Sequence, residues 1–70
     1  MIIERHDSGS MTINHNDMFF FAHLINKQVY LLIHIKCDGY TYIGKFSDEE
    51  HIKEAINIYA DQENEMKALD

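Results

Sequence analysis

The chain contains no proline and no tryptophan, and Cys37 is its only cysteine. An intrachain disulfide is therefore excluded, and a lone thiol points to a reducing compartment. Gly9, Gly39 and Gly44 are the only glycines, too scattered to form a phosphate-cradling loop. Six basic residues stand against twelve acids, without the Lys/Arg cluster that displaces counterions from nucleic acid. Long apolar runs are missing as well. The most apolar stretch, residues 18–25, includes His23 and falls far short of the roughly 20 residues that a membrane span requires. Glu4, Arg5 and Asp7 stand where a signal peptide would be apolar. The expectation is a cytoplasmic protein with no membrane association and no direct nucleic-acid contact.

Seventy residues allow one small domain. Chains below about 70–80 residues usually add disulfides, a metal or a second subunit to a modest core. With disulfides excluded, a homodimer is expected. Charge is unevenly spread: residues 48–70 hold eight acids and two lysines, a net of −6, whereas residues 1–47 balance four acids with four bases.

Residues 29–46, VYLLIHIKCDGYTYIGKF, carry the strongest local signal. Two apolar-rich runs flank Asp38-Gly39, a dipeptide suited to positive φ at both centres of a type I′ turn, which predicts a β-hairpin. Residues 18–26, MFFFAHLIN, read as a further strand with a short helix as the alternative, turning into the next strand at Asn26-Lys27. That register, carried across Asp38-Gly39, places Met18, Phe20, Ala22, Leu24, Val29, Leu31, Ile33, Ile35, Cys37, Tyr40, Tyr42 and Phe46 on a core face. It leaves Phe19, Phe21, His23, Ile25, Tyr30, Leu32, His34 and Ile43 on an outer face. Gly44 is expected to let a covering helix approach the sheet.

From Ser47 onward the period changes to that of a helix. Ser47 with Glu50 has the spacing of a capping box, and Ile52, Ala55, Ile56, Tyr59 and Met66 form an apolar stripe. Glu50, Glu54, Asp61 and Glu65 fall on the opposite face. Residues 1–17, with linker-like Asp7-Ser8-Gly9-Ser10 and turn-forming Asn14 to Asp17, read as a flexible N-terminal segment; Met11 offers an alternative start. The expected fold is α+β, a three-stranded antiparallel sheet in β-β-β-α order over residues 18–70, with one long C-terminal helix packed on one face.

Catalytic and metal chemistry find little support in these residues. His34 and Cys37 have a suggestive spacing, but an odd offset along a strand sends their side chains to opposite faces. His23 and His34 share the predicted outer face at roughly 13 Å apart, too far to hold one ion within a subunit. Cys37 reads as a small hydrophobe, and no nucleophile sits in a strained turn. The reading is a non-enzymatic protein without cofactor or metal.

Two surfaces remain. The outer face of the sheet is apolar enough to require a cover, as a dimer seam or a partner interface. The acidic stripe of Glu50, Glu54, Asp61 and Glu65 would suit a basic surface on a nucleic-acid-handling protein. Residues 42–56, YIGKFSDEEHIKEAI, resemble the third strand and helix of AP2-type and integrase arm-binding domains, where Gly-x-Phe precedes a helix with an acidic start. That resemblance implies a sheet lying in the DNA major groove. Here only Lys36 and Lys45 stand among Phe, Leu and Ile on the expected outer face, so the DNA-binding role is not carried over. Small size, acidity and the lack of catalytic features resemble in type the accessory inhibitors of phages and mobile elements, the anti-CRISPR and anti-defence class. The expected function is a protein-binding inhibitor that occludes a basic partner. A nucleic-acid-binding transcriptional regulator using the sheet face is the alternative.

Overall fold

The computed structural model describes residues 1–69, and their side chains as far as Gln62. The fold is α+β: one antiparallel sheet and one C-terminal helix. The sheet has five strands rather than three: β1 (Ile2–Arg5), β2 (Met11–His15), β3 (Met18–Asn26), β4 (Val29–Lys36) and β5 (Gly39–Phe46). They lie side by side in sequence order as a meander, and α1 (Glu49–Leu69) follows.

The two additional strands come from the segment expected to be loose. Asp7-Ser8-Gly9 is a tight hairpin loop: Gly9 N–H donates to the His6 carbonyl at 2.9 Å and His6 N–H to the Ser10 carbonyl at 3.0 Å. Gly9, at φ 92°, supplies the left-handed residue that follows the turn in three-residue hairpins. Asn16 and Asp17 both have positive φ, 52° and 62°, the mark of the type I′ turn that joins β2 to β3. Asn and Asp are the non-glycine residues that best tolerate this conformation. Alternation of buried Met11 and Ile13 with outward Thr12 and Asn14 then follows the strand period of two.

The later turns differ from expectation by one residue each. Asn26 pairs with Val29, so Lys27-Gln28 forms the β3–β4 turn, held by an Asn26 side-chain oxygen accepting from Gln28 N–H at 3.0 Å. A bulge at Ile25 then places Leu24 opposite Tyr30, Ala22 opposite Leu32 and Phe20 opposite His34. This reverses the predicted faces of β4. Tyr30, Leu32 and His34 lie beneath the helix, whereas Leu31, Ile33 and Ile35 face outward. Lys36 pairs with Gly39, so Cys37-Asp38 is the β4–β5 loop, and Cys37 is exposed rather than in the core. A second register shift, between Leu32 and Ile33, leaves Ile43 without a cross-strand partner. Ile43 packs against the core instead of pointing outward as expected.

The core lies between the sheet and the helix. Ile13, Phe20, Ala22, Leu32, Ile52, Ile56 and Ala60 are fully buried, and Met11 nearly so. Each of the larger side chains contributes about 1.5–3 kcal/mol by leaving water. Asp48, not Ser47, caps the helix: its carboxylate accepts from Glu50 N–H at 3.1 Å and its carbonyl from Ile52 N–H at 3.2 Å. An added Cβ on Gly44 would meet the ring of Phe46 at 3.3 Å. That glycine therefore makes room for Phe46, two residues along the same strand face, rather than for the helix. Buried Ser10 supplies an irregular link, its hydroxyl oxygen accepting from Leu24 N–H at 3.1 Å just beyond the last β2–β3 pair.

Two glycines give a paired test. In Gly9→Ala the new Cβ meets Leu24 Cδ2 at 2.5 Å at a φ of 92°, whereas Gly39→Ala, at φ 150°, has no atom within 4 Å. Both force alanine into a positive φ that L side chains rarely adopt, costing about 1 kcal/mol or more, and only Gly9→Ala adds a clash. Urea denaturation is expected to rank Gly9→Ala below Gly39→Ala, and both below the parent chain.

Candidate functional site

Three aromatic side chains join helix and sheet. Phe20 on β3, His34 on β4 and Tyr59 on α1 have ring centroids 5.1 to 5.9 Å apart, with Tyr59 edge-on to both partners. The Tyr59 hydroxyl lies 2.9 Å from His34 Nδ1, within hydrogen-bond distance. His34 is thus a buried element of the core, where a polar ring needs partners, and not an outward interface residue. Nothing in this trio forms a nucleophile–base pair in a cleft. Tyr59→Phe removes the hydrogen bond while keeping the packing, and should lower unfolding free energy by about 1 kcal/mol in a denaturant titration.

Shallow depressions mark the described surface. One of about 360 Å³ runs between β5 and the helix, lined by Tyr42, Ile43, Ala55, Ile58, Tyr59 and Gln62. Another of about 400 Å³ lies at the β2–β3 turn beside Met1 and Ile2. Among the described residues, no three His, Cys, Asp or Glu side chains come together as a metal site requires. No described helix is long and apolar enough to cross a membrane.

The outer face of the sheet is the larger feature. Register sets it out in rows. Ile2, Asn14, Phe19, Ile35 and Tyr40 form one; Glu4, Thr12, Phe21, Ile33 and Tyr42 the next; His23, Leu31 and Lys45 a third. Phe21 and His23 stack along β3 with centroids 5.9 Å apart. No described residue covers these rows. Phe19, Ile25, Ile35 and Tyr40 keep between 38% and 70% of their surface in solvent. Of the eight residues expected on this face, Phe19, Phe21 and His23 lie there, with Ile25 exposed at the bulge beside them. Tyr30, Leu32, His34 and Ile43 do not. Their places are taken by Leu31, Ile33 and Ile35 of β4, which the sequence places in the core because every residue from Val29 to Ile35 except His34 is apolar or aromatic, and by Tyr40 and Tyr42 of β5, whose faces follow those of β4. The signal that finds them is the bulge, and no sequence period reveals it.

On the opposite side, Glu50, Glu54 and Asp61 are exposed, while Glu65 lies outside the described side chains. Glu50 is 3.7 Å from Lys53, which also reaches Glu49. Glu54 and Asp61 have no ion-pair partner among the described residues. Arg5 of β1 pairs with Glu49 and fastens the first strand to the first turn of the helix. Comparison with protein-family models, curated proteins and solved structures finds no match for the chain.

Proposed function

We propose that this chain is a non-enzymatic protein-binding module acting by occlusion in the cytoplasm. The observation that supports this most directly is the uncovered apolar face of the sheet. The largest apolar patch on the surface of a small protein is often its binding site. The depressions of the molecule, by contrast, hold no convergent catalytic groups. The helix presents the second surface. Glu50 and Glu54 lie one turn apart, and Asp61 follows two turns further on, so the carboxylates track one side of the rod.

A row of that kind fits a basic groove that ordinarily takes a nucleic-acid backbone. The protein would then be a small acidic inhibitor of the type used by phages and mobile elements, competing with nucleic acid for a nucleic-acid-handling partner. Direct nucleic-acid binding through the sheet is the poorer reading, because Lys45 is the one cation in those rows.

A competition assay tests this. The chain is titrated into a basic nuclease bound to labelled duplex DNA, and DNA release is followed at several salt concentrations. Release is expected to weaken as salt rises. Combined Glu50→Gln, Glu54→Gln and Asp61→Asn should reduce it about tenfold, three rim charges each contributing roughly 0.5 kcal/mol. Binding of the chain itself to duplex DNA with a steep salt slope would overturn the reading.

A further inference from the structure

We infer that the occupant of the outer sheet face is a second copy of this chain, stacked about a two-fold axis parallel to the central strand β3. The inference deepens the reading of that face as an interface. It is separable from the role of the helix, since a monomeric chain could still offer its carboxylates to a basic partner.

Charge placement argues for a second copy. The net charge of −6 belongs wholly to residues 48–70, so two copies repel at any contact involving the helices. The outer face is different: its rows carry one acid, Glu4, and one lysine, Lys45. Stacking sheet on sheet buries this balanced apolar surface and sends both acidic helices to opposite poles of the assembly. The extent is of the same order as an interface requires. Five strands at about 4.8 Å spacing and rows covering about 20 Å give a footprint of roughly 400 Å² before side-chain relief is counted. A stable interface must clear about 500 Å² of accessible surface per partner.

The same two charges select the axis. Glu4 lies on edge strand β1 and Lys45 on edge strand β5. Neither has an ion-pair partner among the described residues. An axis parallel to the strands lays β1 of one copy over β5 of the other. Glu4 then stands over the partner's row containing Tyr42, one row from Lys45, about 7 Å along the strand and within the reach of a lysine. An axis perpendicular to the strands instead lays β1 over β1 and brings the two Glu4 carboxylates together. Either axis sets Phe21, in the middle row of the middle strand, against its own copy at the centre of the seam.

Sedimentation equilibrium of the full chain, parent and variants, tests both parts. The parent is expected at the mass of two chains. Phe21→Asp should be monomeric while keeping the circular dichroism of the fold. Glu4→Lys and Lys45→Glu should each raise the dimer dissociation constant about fivefold, and the double reversal should return it to within about twofold of the parent. Within one chain the two sites lie roughly 19 Å apart, across three intervening strands, so such rescue can arise only between copies. A parent of single-chain mass overturns the second copy as occupant. A dimer indifferent to Phe21→Asp does the same for the seam, and a dimer whose charge reversals fail to compensate overturns the axis.

Discussion

One helix can cover only one face of a sheet, and this chain has one helix. Everything else in the molecule follows from how that shortage is met. The helix closes over Ile13, Phe20, Ala22 and Leu32 with Ile52, Ile56 and Ala60, and His34 and Tyr59 tie the two layers by a polar contact inside an otherwise apolar seam. Residues of equal hydrophobicity on the far side have no such cover. An antiparallel sheet ordinarily resolves this by alternating apolar with polar residues. Here β3 and β4 are apolar on both sides, which suits a strand buried twice. The fold thus has two layers, with apolar residues on the open side of the sheet as well as beneath the helix.

The bulges decide which residues fill which layer. Without the extra residue at Ile25, the β3–β4 hairpin would send Leu31 and Ile33 inward and Tyr30 and Leu32 outward, with almost the same hydrophobic content on each side. The tie is broken by His34. With the bulge in place it meets Phe20 and Tyr59, whereas without it His34 would lie on the outer face opposite Phe21. A second bulge, at Ile43, turns one more apolar side chain toward the helix at the exposed edge. Such distortions also bend an edge away from the flat geometry that invites another strand.

Much of the architecture was legible beforehand, and the errors have a single physical character. The helix announced itself by period, acidic first turn and apolar stripe, and the three later strands by their composition. The inward face of β3 was also read correctly, because Phe20, Ala22 and Leu24 alternate with His23. β4 offered no such contrast, so its orientation hung on the turn alone. Asp38-Gly39 suggested a turn centred there, whereas Gly39 is the first residue of β5 and Cys37-Asp38 forms the loop. β1 and β2 were missed because Glu4, Arg5, Thr12, Asn14 and His15 dilute their apolar content. The available clue was Asn16-Asp17, a pair able to take positive φ twice in succession. The functional surfaces were legible as kinds of surface, one apolar and one acidic, but half of the residues assigned to the first lie on the other side of the sheet.

The meander has a bearing on how the chain reaches this state. Every strand pairs with the next in sequence through loops of two or three residues, so each hairpin closes with little loss of chain entropy and on the microsecond scale typical of hairpins. The helix is the distant partner: the contact between Arg5 and Glu49 joins residues 44 positions apart. The sheet is thus built from local pairings alone, and docking of the helix adds the contacts of high sequence separation.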